Sequence, residues 1–440
     1  MLEWLGEQRN SCGMRYRPIP FSESLEWAWD DGRLRHRTGG FFSLEGVEVS
    51  ARHPSLDGWR QPIINQPEVG ILGFVLVGTP GSYRWLVQAK AEPGNVGGVQ
   101  LAPTVQATYS NYTRRHGGAE TCYLSHFLED ADSLVSDSLQ SEQGTRFLRK
   151  FNRNAVQHVG EAPDVAGASF TWMRSGELRA ALADDYTVNT DARSVLVTAP
   201  WLFLARGETP FDNPAAHALF GQSLAASYLR QADPCALLAK LKAGLDDLRQ
   251  RLALTVSSCS LLSLGGWRIT DGSLRAETGA GALEVCHYAV EAPNRERPAW
   301  DQPLVQSREA DEVILFCQKH EGVMRFMVRP CFEVGLTGGV EWGPSYKRES
   351  LLAQPDWLQA LVASGDWRTL ISAEQSDEGG RFMLSRCRYR VAEVPVDWQR
   401  PTDMDDIIWL TAAELEQVAR VSGFLTNEAR SALSLLLSLA

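Results

Sequence analysis

The chain states one message twice, and that duplication constrains its fold more than any other feature. The stretch from residue 30 to 195 returns, loosely and in the same order, between residues 270 and 435. Trp27, Asp31-Gly32 and Thr38-Gly39 recur as Trp267, Asp271-Gly272 and Thr278-Gly279, and Trp59-Arg60-Gln61-Pro62 as Trp300-Asp301-Gln302-Pro303. Further on, Gln140-Ser141-Glu142-Gln143-Gly144 with Arg146-Phe147 reappears as Gln375-Ser376-Asp377-Glu378-Gly379 with Arg381-Phe382, and Ala192-Arg193-Ser194 as Ala429-Arg430-Ser431. A unit this long buries a core of its own, so the pattern predicts two tandem copies of one domain and not a solenoid.

Composition supports two globular domains: 440 residues, 44% hydrophobic and 22% charged. The longest apolar run, 69–77, is strand length, well short of the roughly 18–20 residues of a membrane span. Met1-Leu2-Glu3-Trp4 lacks the basic-then-apolar order of a secretion signal. Cysteines at 12, 122, 235, 259, 286, 317, 331 and 387 form no Cys-x-x-Cys pair, which makes a reduced cytoplasm the expectation. A net charge of −11 argues against bulk nucleic-acid binding, so an anionic ligand must be met by local Arg or Lys.

Residues 1–26 read as a polar lead-in with a short amphipathic start. The first copy then predicts strands at 41–49, 69–77 and 83–92, the last two paired across Pro80-Gly81, and the second copy predicts the matching hairpin 312–319 and 323–333 across Glu321-Gly322. Helices are expected at 177–183, 189–196, 414–420 and 427–437, closing each copy. Residues 214–229 and 233–252 have helical periodicity, so the connection is read as helices that pack the domains together or build a dimer. The division is 1–205, 206–253 and 254–440.

The duplication works as an internal control. Arg193 and Arg430 persist in drifting surroundings and are candidates for a buried ion pair or a phosphate contact. What the second copy lost is sharper. In residues 101–114, Thr104, Gln106, Thr108, Ser110 and Tyr112 alternate with smaller or apolar neighbours, and on an extended chain they share one face suited to hydrogen-bonding a polyhydroxylated ligand. A polar edge strand or a helix start accounts for the same alternation. The second copy reads Pro344-Ser345-Tyr346-Lys347 there, and Lys90 has become Cys331. Only the first copy is therefore expected to carry a full site.

Glu-Pro-Gly-Asn at 92–95, Leu-Ala-Pro-Thr-Val-Gln-Ala-Thr at 101–108, Ser-Asn-Tyr at 110–112, Gln-Ser-Glu-Gln-Gly at 140–144, Thr-Gly-Gly-Phe-Phe-Ser-Leu-Glu-Gly-Val at 38–47 and Asn-x-Asp-Ala-Arg-Ser at 189–194 resemble the NDP-hexose 2,3-dehydratase family of deoxysugar biosynthesis. The resemblance implies an α+β chain of two Nudix-like α/β modules, a homodimer, and a dTDP-linked 4-keto-6-deoxyhexose as substrate. The family's second copy usually also resembles Pro-Thr-Val-Gln, so Pro344-Ser345-Tyr346-Lys347 leaves ligand binding there open.

A Nudix hydrolase needs several carboxylates facing one Mg²⁺, but residues 93–115 contain no acid, and neither histidine spacing nor a Gly-x-Gly-x-x-Gly loop offers a metal or dinucleotide site. No metal and no resident cofactor are expected. The implied reaction needs only a base at C3, an acid at the C2 oxygen and donors for the C4 oxyanion. Glu142 is the first candidate for the base and Glu92 the second; Lys90, Thr104 and Tyr112 are candidates for the oxyanion contact. Substrate binding is expected from Gln106, Thr108, Asn111, Trp59 and Gln61, with Arg146, Arg153 and Arg193 on the diphosphate. A separate NADPH-dependent 3-ketoreductase would consume the product. Another reaction on a sugar-like substrate, or sugar-nucleotide binding without catalysis, stays open on the same residues.

Overall fold

The computed structural model describes residues 2–113, 120–128, 133–277, 283–293, 298–307, 309–398 and 407–440. Thr278-Gly279 of the repeat and residues 114–116 beyond the polar stretch lie outside them. Each copy builds one large mixed sheet and one small antiparallel sheet. In the first copy the large sheet runs Leu134–Ser141, Phe151–Val159, Gly70–Val77, Arg84–Ala91, Phe170–Arg174, with Val99–Ala102 and Val105–Ala107 attached. Gly70–Val77 is buried along its whole length, as its unbroken apolar run requires of a central strand, and it pairs parallel with Phe151–Val159. The second copy repeats this with Arg368–Ser376, Arg386–Glu393, Asp311–His320, Val323–Phe332 and Ile408–Leu410.

The small sheets are exchanged. Arg15–Ile19 pairs with Leu283–Glu291 of the second copy, and Thr255–Cys259 pairs with Ser43–Ser50 of the first. The polar lead-in thus holds a helix, Leu2–Ser11, and a strand that completes the other copy's sheet. Its sequence, Arg-Tyr-Arg-Pro-Ile, hides this because four of its five side chains are exposed and it is held at an edge chiefly by the backbone ladder. The exchange is sealed reciprocally: Trp27 Nε1 donates to Asp301 O (2.8 Å) and Trp267 Nε1 to Arg60 O (3.1 Å).

The connection is helical, as expected: Pro214–Phe220, Ser223–Leu229 and Pro234–Leu252. The last buries Leu237, Leu241, Leu245, Leu248 and Leu252 on one stripe. Its Arg249 Nη2 donates to Val340 O (3.1 Å) just as Arg9 Nε of Leu2–Ser11 donates to Val99 O (3.0 Å). Pro234–Leu252 is therefore the counterpart of the N-terminal helix, and the end of the stretch 206–253 belongs structurally with the second copy.

Helices Thr190–Thr198 and Asn427–Leu437 are buried on every side and pack on each other between the two large sheets. Loops interlock beside them. Gly94 N–H donates to Gly379 O (2.9 Å) and Gly335 N–H to Gly144 O (2.7 Å), and a Cβ at Gly94 or Gly335 would stand 1.7 Å from the carbonyl oxygen of Phe382 or Phe147. Only glycine permits that approach.

Candidate active site

Asn189 caps helix Thr190–Thr198, its side-chain oxygen accepting the Ala192 N–H at 2.9 Å. Its amide donates to Gln106 Oε1 (2.9 Å), and the Gln106 amide donates to Glu92 Oε1 (3.0 Å). Lys90 Nζ, near the end of Arg84–Ala91, donates to Gln106 O at 3.0 Å. On the other side stands Glu142, just past Leu134–Ser141 and 6% exposed. Its Oε1 accepts from Asn152 (2.8 Å) and its Oε2 from Asn427 of the second copy (3.2 Å). Lys150, itself buried, donates to Glu68 O and accepts the Glu142 N–H at its own carbonyl (2.9 Å).

The second copy also supplies the loop that follows Arg368–Ser376. A Cβ at Gly380 would lie 3.2 Å from Glu378 Oε1 and 3.6 Å from Glu92 Oε1, so this loop stands against the first copy's site. Arg381 Nε donates to Gln66 Oε1 at 3.2 Å. The cluster is thus built from both copies, and its placement depends on their interlocking.

Burial dominates its electrostatics. It pushes the Glu142 carboxyl up to about 7, reinforced by Glu378 and opposed by Arg430, Lys150 and the Asn152 amide. Asp191, in the first turn of Thr190–Thr198, is held well above the ordinary carboxylate range by burial and by Glu378, Glu142 and Glu92, with Lys90 opposing. Burial lowers the Lys150 ammonium, against the pull of Glu142 and Glu378. Carboxyls of raised proton affinity beside buried cations suit proton transfer. Among the described residues no group of three or more His, Cys, Asp or Glu side chains is arranged to hold a metal ion.

The second copy fills the equivalent space. Lys347 stands where the first copy has Gln106, and its ammonium bridges Glu333 (2.7 Å) and Glu428 (2.6 Å), the counterparts of Glu92 and Asp191. What remains is a cavity of about 10 Å³ lined by Asp311, Glu349, Asp377, Arg146 and Glu428 among others, room for roughly one water.

The structure brings together Lys90, Glu92, Gln106 and Glu142, and disperses other sequence candidates. The expectation of one extended polar face fails: the strand is only Val105–Ala107, and the chain turns into a short helix at Tyr109–Tyr112. Thr104 accepts the Val75 N–H (2.9 Å) and donates to Leu86 O, so it pins strands. Ser110 bonds Glu68, Thr108 precedes the short helix, and Asn111 is exposed. Tyr112 packs on the cluster of Ile71, Val105, Ala107 and Phe127, on the face opposite Gln106.

Arg153 is engaged by Asp137 (2.7 Å), and Arg146 by Glu349 of the second copy (2.5 Å), beside the second copy's cavity. Arg193 is fully buried and donates to Val188 O (2.6 Å) and, across the copies, to Ser376 O (3.0 Å). Arg430 mirrors it with Leu425 O and Ser141 O. Of the two roles left open for this pair, the structure shows a buried pin whose donors go to carbonyl, amide and hydroxyl oxygens in place of an ion pair. Trp59 donates to Gln61 (2.9 Å), which donates to Thr145 O (2.8 Å); Trp300, Gln302 and Gly380 O repeat the bracket, so these residues brace loops.

Sequence reasoning missed Asp191, Lys150, Asn152, Glu378 and Asn427. Comparing the copies could have flagged two of them, since Lys150 and Asn152 correspond to Ser385 and Cys387. Asp191 corresponds to another acid, Glu428, so the two copies show no contrast there, and the residues from the second copy have no local signal.

A family model described as NDP-hexose 2,3-dehydratase matches residues 1–198 and 238–436. A dTDP-4-dehydro-6-deoxy-alpha-D-glucopyranose 2,3-dehydratase of Saccharopolyspora spinosa is 33% identical, covering 99% of this chain and 90% of the relative. The enzymes of that name from Amycolatopsis orientalis and Streptomyces violaceoruber are each 32% identical, covering 98% of this chain and 88% and 95% of the relatives. Among solved structures, an ADP compounds hydrolase aligns with 36% of this chain and 86% of its own at 17% identity, with a TM-score of 0.24, too low to carry an argument.

Proposed function

Because the chain belongs to the NDP-hexose 2,3-dehydratase family, we propose that it is a lyase that removes the C2 hydroxyl of a dTDP-linked 4-keto-6-deoxyhexose. The observation that carries the chemistry is Glu142: buried, hydrogen-bonded through both oxygens by Asn152 and Asn427, and raised to about 7. In a 4-keto sugar the C3 hydrogen is acidic, and Glu142 takes it as general base, Glu92 being second in line. The C4 oxyanion is met by Lys90, whose ammonium Gln106 O holds at the edge of the cluster. Elimination of the C2 oxygen then leaves an enol that tautomerises to the 3,4-diketo-2,6-dideoxy sugar.

No electron is gained or lost overall, so this reading requires neither nicotinamide nor a metal ion. In the product the C1 diphosphate lies β to the new C3 carbonyl and is prone to leave, so a separate NADPH-dependent 3-ketoreductase is the class of enzyme that consumes it. We further read each copy as a Nudix-like module, on the strength of its mixed sheet, and the chain as a homodimer.

The test is incubation with dTDP-4-keto-6-deoxyglucose in D₂O, with EDTA and without nicotinamide. Loss of the C2 oxygen and release of dTDP are expected. Glu142→Gln should bind dTDP yet fail to exchange C3 hydrogen; normal exchange in that variant would move the base elsewhere. Turnover abolished by EDTA and restored by Mg²⁺ or Mn²⁺ would overturn the metal-free reading.

A further inference from the structure

One carboxyl group in the cluster has no part in that scheme. Asp191 is 4% exposed, and no hydrogen bond reaches its carboxylate among the described residues. An acid this enclosed among other carboxylates is costly as an anion, which makes its retention informative. The second copy shows the structural solution to the same position: Glu428 is bridged by Lys347. In the first copy the corresponding residue is Gln106, and its amide and carbonyl are turned to Glu92 and Asn189.

The two carboxyls of the first copy have opposite surroundings. Glu142 receives two amide N–H donors and lies near Lys150 and Arg430, which hold its anion against the burial that raises it. Asp191 faces Glu378, Glu142 and Glu92, with Lys90 and Lys150 as the cations in its surroundings. The helix N-terminus favours its anion, a small effect beside burial among three carboxylates. Two buried acids so differently supplied with hydrogen-bond donors suit an acceptor and a donor of protons.

We propose that Asp191 is a catalytic residue of this site, the proton donor to the departing C2 oxygen, working opposite Glu142. The inference rests on the reading of Glu142 as the base. Glu142 takes the C3 proton and the electron pair forms the enolate. That pair then makes the C2=C3 bond as the C2–O bond breaks, and the oxygen leaves with its electron pair and the Asp191 proton as water. The enol hydroxyl at C3 loses its proton and C2 gains one, with Glu142 and Asp191 restored by exchange with water.

The variant Asp191→Asn keeps shape and hydrogen-bonding reach but transfers no proton. In D₂O it should still exchange C3 hydrogen, because the enolate forms and returns, while release of water and dTDP falls about 100-fold or more, the ordinary scale of general acid catalysis. Loss of exchange and elimination together, with dTDP binding and melting unchanged, would make Asp191 the base and overturn the proposal. Unchanged elimination would make it a bystander. If Asp191→Asn does not fold, Asp191→Glu serves: slowed elimination with intact exchange supports the role, and equal loss of both refutes it. Glu142→Gln run alongside keeps the two ideas apart, since exchange persisting there sinks the base assignment whatever Asp191 does.

Discussion

Replacing Lys347 by methionine preserves length and removes the charge that bridges Glu333 and Glu428 at 2.7 and 2.6 Å. All three side chains are under 5% exposed, so bulk water does not replace the ammonium. Removing one member of a buried ion pair costs about 3–5 kcal/mol, because the remaining charge stays desolvated. Here two carboxylates are stranded facing one another. The loss should reach that range at pH 8.

Its pH dependence has a definite sign. Lys347 in the native protein is raised well above its usual value, so its own contribution is full at any pH from 5 to 8. Glu333 is already raised by burial and by Glu428, and losing the ammonium raises it further. The folded variant then binds protons that the unfolded chain has released, so its stability climbs as pH falls and the deficit narrows toward pH 5. Urea unfolding of both proteins at pH 5 and 8 measures this. A deficit below about 1 kcal/mol at pH 8, or one that grows on acidification, would refute the buried triad. Because the triad fills the second copy's site, turnover per folded molecule should hardly change, whereas Gln106→Ala should cut it strongly. Comparable losses would refute a single working site in the first copy.

Turnover should rise with pH along a limb near 7 as Glu142 ionises, and Glu142→Gln should abolish activity; a flat profile from pH 5 to 8 would remove the base assignment. Since that carboxyl is raised on folding, its contribution to stability declines as pH climbs from its unfolded value through about 7, so burial is tolerated for chemistry and not for stability. Gly94→Ala places a Cβ 1.7 Å from Phe382 O and should destabilise the protein by about 3 kcal/mol or more, while Gly6→Ala, with nothing within 4 Å, should be neutral or gain up to about 1 kcal/mol in thermal unfolding. Arg193→Lys should lower stability by about 2–3 kcal/mol through lost main-chain hydrogen bonds, with dTDP affinity of the folded protein intact; weakened dTDP binding at unchanged stability would restore a phosphate role.

By itself the sequence determined the duplication, the strands such as Gly70–Val77 whose apolar runs leave no other reading, and the capped helices that close each copy, and it singled out Lys90, Glu92, Gln106 and Glu142, which the fold gathers into one cluster. These were legible because hydrophobic period, caps and differences between copies are local properties of the chain. Tertiary structure decided the rest. Arg15–Ile19 is a strand only because another copy's edge receives its backbone, and Thr104 pins strands because two of them converge on its hydroxyl. Arg193 braces a loop from the far half of the chain, and Glu378 and Asn427 reach the first site through contacts spanning more than two hundred residues. Such partners leave no trace in spacing, because the free energy of a buried charge depends on what surrounds it in space and not on what precedes it along the chain.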